Sequence, residues 1–106
     1  MAVVKGTTPT FIFTTPIDLT EASKVWVTLS TMSECELITK SNEDLIITSE
    51  SVSVFLSQAE TLSLPKGQIK VQLNWLYQEG NKLKRACSKK KTISTDTNLL
   101  DKELTL

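Results

Sequence analysis

Histidine is absent from this chain of 106 residues, and glycine, proline and cysteine are scarce at three, three and two. Without histidine the chain lacks the commonest general base, the usual nitrogen ligand of zinc and the side chain that titrates near neutral pH. The glycines form no phosphate-cradling loop, and there is no GxSxG, no acidic calcium loop and no CxxC. No run approaches the roughly 18 apolar residues of a membrane span, and residues 1–6 contain no long apolar core of the signal-peptide kind. Neither charge sign dominates. Twelve Lys+Arg face twelve Asp+Glu, which argues against a dedicated nucleic-acid or membrane-surface binder. These absences point to a protein that is not an enzyme, with no cofactor and no metal.

Cys35 and Cys87 stand far apart and in no metal-type spacing. A secreted chain of this size would carry more cysteines, so both thiols are expected free in a reducing cytoplasm. The alternative is an inter-sheet disulfide of the immunoglobulin sort.

What the chain does have is β-branched and hydroxylic residues: Ser and Thr make up 26 of the 106. Val, Ile and Thr dominate the apolar segments, and such side chains pack well on a pleated sheet. Val25, Val27 and Leu29 alternate with Trp26, Thr28 and Ser30, and Val52, Val54 and Leu56 with Ser51, Ser53 and Phe55. Ile69, Val71, Leu73, Trp75 and Tyr77 make the strongest strand signal, on a face opposite Lys70, Gln72 and Asn74. Phe11 and Phe13 flank Ile12 in a shorter run, and further strands are predicted at 35–40 and 44–49. Gly80-Asn81 reads as a hairpin turn whose returning strand runs from Lys82 to about Thr92. A two-residue loop sets Ala86 opposite Trp75, whereas a three-residue loop sets Cys87 opposite Leu73.

Ser57-Gln58-Ala59-Glu60 fits a capping box, and Asp18-Leu19-Thr20-Glu21 is a looser version, so helical turns are expected near 58–62 and 19–23. Short strands at this spacing predict one all-β domain, an immunoglobulin-like β-sandwich of about seven strands with one or two short helical turns. Its span is taken as 1–92. Residues 93–106, with Leu99, Leu100 and Leu104 among polar residues, form a C-terminal tail, a docking segment or a short helix.

Three surface features invite functional readings. Glu34 and Glu36 share one strand face, as a paired-carboxylate site requires, but a solvated outer face explains them as well. Lys82, Lys84, Arg85, Lys89, Lys90 and Lys91 form a basic edge, which either guards an exposed strand against unwanted pairing or steers an acidic partner. Aromatic interleaving of the kind that stacks bases is missing there, so no nucleic-acid role is assigned. Residues 1–66 carry four Lys and eight Asp/Glu, net −4, while residues 67–106 carry eight Lys/Arg and four Asp/Glu, net +4. Ile12, Trp26, Phe55 and Leu76 are large apolar residues on the outward phase of their strands. Together they are a candidate interaction surface, anchored on Trp26.

The segment Lys5-Gly6-Thr7-Thr8-Pro9-Thr10-Phe11-Ile12-Phe13 and the segment Leu56-Ser57-Gln58-Ala59-Glu60-Thr61-Leu62 carry a resemblance. So do Ile69-Lys70-Val71-Gln72-Leu73 with Gly80 in a turn, and Asn98-Leu99-Leu100-Asp101-Lys102-Glu103-Leu104. Over nearly its whole length the chain resembles a family of small uncharacterised proteins of phages and prophages of Gram-positive bacteria, encoded near tail and baseplate genes. The resemblance implies a structural protein of the virion tail, made in the host cytoplasm. It would act as a baseplate or tail accessory through contacts with tail proteins or with further copies of itself. The family supplies no functional residues. Two rival expectations are a carbohydrate-binding adsorption module using Trp26 and Trp75, and a cytoplasmic regulator that binds a host protein.

Overall fold

The structure is a computed structural model that describes residues 2–100 and 102–106, with only the backbone of Ala2. Met1 and Asp101, which belong to the opening and closing segments singled out above, lie outside the described residues. The larger sheet contains β1 (Ala2–Val4), β3 (Lys24–Thr31), β4 (Glu36–Ser41), β7 (Gly67–Glu79), β8 (Lys82–Cys87) and β9 (Lys91–Asp96). The smaller holds β2 (Thr10–Thr14), β5 (Leu45–Ile47) and β6 (Ser51–Phe55) in the order β2-β6-β5. In the larger sheet the order is β1-β9-β7-β3-β4, with β8 also on β7. β2, β6 and β5 stand where an immunoglobulin-type domain has strands B, E and D, and β9, β7, β3 and β4 where it has G, F, C and C′. The fold is the all-β sandwich that the alternation predicts.

The core lies between the sheets and follows the period-2 pattern. Val25, Val27 and Leu29 from β3, Val52 and Val54 from β6, and Phe11 and Phe13 from β2 are buried against Ile69, Val71 and Leu73 of β7. Each such side chain contributes about 1.5–3 kcal/mol on leaving water. Both helical turns occur where the capping residues place them. Asp18 caps a 3-10 turn at Leu19–Glu21, and α1 (Gln58–Leu62) carries the full capping box. In that box Ser57 Oγ accepts from the Glu60 N–H at 3.2 Å and Glu60 Oε1 accepts from the Ser57 N–H at 2.9 Å. Among the described residues no helix is long and apolar enough to cross a membrane.

The hairpin adopts the two-residue register: Trp75 faces Ala86 and Glu79 faces Lys82. Gly80, at φ 63, supplies the positive φ that the first central position of a type II′ turn needs. Further along, β7 meets β9 in a register shifted by one, so Gln72 and Leu73 face Ser88, Lys89 and Lys90. This bulge is held by Ser88. Its N–H donates to the Leu73 C=O at 2.9 Å, and its Oγ accepts from the Leu73 N–H at 3.0 Å in place of a backbone carbonyl. Gln72 Nε2 donates to the Ser88 C=O at 2.8 Å.

Two sequence-based boundaries are corrected. The returning strand does not end near Thr92: β9 runs to Asp96, with Ile93 and Thr95 buried, so the tail begins at 97 rather than 93. Ile93 faces Ile69, and that burial places the segment in the sheet. The opening residues also form a strand that the sequence did not reveal. β1 pairs in parallel with β9, Ala2 opposite Ser94, and buries Val3.

Thr61 and Thr95, the two buried threonines, differ in their partners. Thr61 Oγ1 accepts from the Gly6 N–H at 3.0 Å and donates to the Thr7 C=O at 2.7 Å, fixing the β1–β2 connection to α1. Thr95 Oγ1 is buried with no partner. The same substitution should therefore act with opposite signs. Thr61→Val is expected to lose about 1–3 kcal/mol because it strands buried backbone groups, whereas Thr95→Val is expected to hold or gain stability. Urea midpoints of the two variants against wild type check this.

Glu60 also pairs with Lys40 across 2.8 Å, tying α1 to β4. Burial pushes the Glu60 carboxyl up, but the hydrogen bonds from Lys40 and the Ser57 N–H outweigh it and leave the group below its ordinary value. A carboxyl lowered in the folded state contributes stability above the unfolded pKa, and that contribution disappears as pH falls through the folded value. Stability should thus fall as pH drops below about 4.3, the ordinary glutamate value, and fall less steeply in Glu60→Gln. Denaturant titrations between pH 7 and pH 3 check it.

Candidate functional site

β7 spans 13 residues, whereas β2 and β6 span five each and β5 three. The small sheet therefore covers β7 only as far as Leu73. Trp75 and Tyr77 continue the inward phase beyond the cover and remain half-buried. A groove of ≈ 510 Å³ opens there, between β2 and its following loop on one side and β7 and β8 on the other. Its floor and walls are apolar: Phe13, Ile17, Leu19, Leu73, Trp75 and Ala86. Lys89 and Lys91 stand at the rim and no carboxylate lines it. Lys91 Nζ lies 5.7 Å from the centroid of the Phe13 ring, a cation–π contact. Past Trp75 the groove continues into a shallower depression where Asp18 and Glu21 border Tyr77.

The strand beside the groove is unpaired on its outer side. In β2 the Leu56 N–H donates to the Pro9 C=O and the Thr15 N–H to the Glu50 C=O, so the odd-numbered residues face β6. Antiparallel ladders alternate, which turns the N–H and C=O of Thr10, Ile12 and Thr14 away from β6. β1, which would cover this edge if it joined the small sheet, pairs with β9 instead. The outer edge of β8 is free in the same way at Leu83, Arg85 and Cys87, since Ser88 and its even-numbered neighbours face β7.

The four outward apolar residues do not form one surface. Ile12 and Phe55 lie on the outer face of the small sheet, 62% and 51% exposed. Trp26 and Leu76 lie on the outer face of the large sheet, half-buried on adjacent strands. The sandwich separates the two pairs, because which sheet a strand joins depends on pairing that its own alternation does not encode. Lys24 Nζ sits 5.3 Å from the Trp26 ring centroid, and Thr28, Asn74 and Arg85 border the same shallow depression. Trp75 is on the opposite face of this sheet, so the two tryptophans share no platform.

The basic residues are spread along an edge. Lys82, Lys84 and Arg85 belong to β8, Lys89 and Lys90 to the bulge and Lys91 to the start of β9. Lys84 pairs with Glu79 at 3.0 Å, and Arg85 Nη2 donates to Asn74 Oδ1 at 3.1 Å. Lys90 bonds Glu34, which also lies 3.8 Å from Lys70. Glu34 sits in the β3–β4 turn at φ 69, outside either strand, and Glu36 accepts a hydrogen bond from Thr39. The hydrogen bond from Lys90 and the nearby Lys70 charge hold the Glu34 carboxyl below its ordinary value. The two glutamates border one depression but are separately engaged, Glu34 by Lys90 and Lys70 and Glu36 by Thr39. Cys35 and Cys87 are exposed and unpaired, and Cys87 lines the groove. Among the described residues no group of three His, Cys, Asp or Glu is placed to hold a metal ion.

The groove was not visible in the sequence, although its signal was there. The apolar phase of β7 outruns every strand that could cover it. Trp75 shares the core face as its spacing predicts, and the open groove leaves it half-buried at the edge of the core. Truncation of a buried Trp costs about 3–5 kcal/mol, and half-burial reduces that to about 1–2 kcal/mol. Trp75→Ala is therefore expected to fold, with a modestly lowered urea midpoint; failure to fold would place Trp75 in the core proper.

Set against family models, curated proteins and solved structures, the chain matches none.

Proposed function

We propose that the protein is a non-enzymatic binding module that holds an extended segment of a partner protein in the groove beside β2. One observation carries this reading: an apolar trough runs beside a strand edge whose N–H and C=O groups are unpaired. Strand addition needs both parts, main-chain hydrogen bonds for affinity and side-chain recesses for specificity. The lysines at the rim add a preference for a segment that carries carboxylates. On the resemblance described above, the partner is sought among phage tail and baseplate proteins, with the protein a component of the virion. A glycan platform is not favoured, since Trp26 stands without a second exposed ring beside it.

Purified tail and baseplate proteins offered to immobilised wild type, Ala86→Arg and Trp26→Ser test the reading, alongside mass spectrometry of purified virions. Ala86 lies in the groove wall opposite Trp75, so an arginine there fills the space while leaving the edge strand exposed to solvent. Capture is expected to weaken at least tenfold with Ala86→Arg and to persist with Trp26→Ser. Capture indifferent to Ala86→Arg, or lost with Trp26→Ser, would move the contact to the outer face of the large sheet.

A further inference from the structure

We infer that the groove of one copy takes residues 99–106 of a second copy. The inference rests on the groove reading above and names its occupant. Leu99 and Leu106 are fully exposed, and Leu100 and Leu104 are about half exposed at 48% and 52%. Four leucines among eight residues are far more apolar surface than a solvating tail carries, and such side chains gain by leaving water. In an extended segment Leu104 and Leu106 share one face, which suits a trough walled by Phe13, Ile17, Leu73 and Trp75.

Charge agrees with this assignment. Lys89 and Lys91 border the groove and form no ion pair among the described residues, whereas the segment carries Asp101 and Glu103 against the single Lys102 in sequence. β2 offers the main-chain partners: Thr10, Ile12 and Thr14 have three N–H and three C=O groups turned outward.

The chain's own geometry favours a second copy. The segment is held at the end of the sandwich away from the groove. Asn98 Nδ2 donates to the Lys5 C=O at 3.1 Å, and the Gln58 side-chain amide receives the Leu104 N–H at 2.8 Å and donates to its C=O at 3.1 Å. α1, which carries Gln58, adjoins the Thr10 end of β2, whereas the groove opens at the Phe13 end. Gln58 thus engages both main-chain groups of Leu104 as one residue of a neighbouring strand would. Donor segment and acceptor groove lie at opposite ends, so the contact is head-to-tail, or reciprocal if two copies exchange segments.

A complementation experiment with full-length chains tests this by analytical ultracentrifugation. Wild type is expected to self-associate with rising concentration. Ala86→Arg, with its groove filled, and Leu104→Asp/Leu106→Asp, with its donor spoiled, are each expected to be monomeric. An equimolar mixture of the two is expected to stop at a 1:1 complex. In that mixture each variant retains what the other lacks, the first its donor and the second its groove. Circular dichroism of each variant confirms that it is folded.

Wild type that stays monomeric at every concentration overturns the inference. Variants that associate as wild type does, or a mixture that forms no complex, also overturn it. Tail proteins captured by wild type and lost by Ala86→Arg, with no self-association, would leave the groove reading standing and refute only the second-copy occupant.

Discussion

The length of β7 against the short strands of the opposing sheet is the constraint on which the other features depend. A sandwich is stable where the inner faces of both sheets cover one another. β7 keeps an apolar inner phase from Ile69 to Tyr77, but its cover ends at Leu73. Leu73 is buried, while Trp75 is half-buried against the edge of the core and, with Tyr77, borders the loop around Ile17 and Leu19. The apolar groove follows from this mismatch.

Two further arrangements keep the groove open. β1 pairs with β9, so no strand covers the outer edge of β2. Ser88 closes the break between β8 and β9 by lending its hydroxyl to the Leu73 N–H, which lets the hairpin continue on β7 without a stranded amide. An exposed edge is an aggregation hazard unless it is guarded. β8 is guarded by its lysines and Arg85, whereas β2 carries only Thr and Ile on its outward phase. The β2 edge beside the groove carries no charged residue, and on the proposed reading that contrast with β8 separates a binding edge from a protected one.

The strands with period-2 alternation, the Asp18 and Ser57 helix caps and the Gly80 turn were legible in the sequence because each is fixed by residues close in the chain. The misreadings involve partners distant in sequence. β1 shows no pattern over Ala2–Val4, and its strand character comes from β9 at the other end of the chain. Ile93 looked like the start of a tail because one isoleucine among Ser and Thr is a weak signal until Ile69 is set opposite it. Ile12 and Trp26 were each placed correctly on an outward phase, but alternation reports which face of a strand is inward, not which sheet the strand joins. The groove was hidden for the same reason: the reach of β7 means something only against the strands that cover it.

The account turns on the free edge of β2, and hydrogen exchange reads that edge one amide at a time. At a concentration where the chain is monomeric, the Phe11 and Phe13 amides are expected to exchange slowly, because they donate to β6. The Ile12 and Thr14 amides are expected to exchange quickly, and to slow once the groove is occupied. Ile12 and Thr14 as protected as Phe11 and Phe13 in the monomeric chain would mean that the edge is already covered, and the binding groove would then be a closed part of the core.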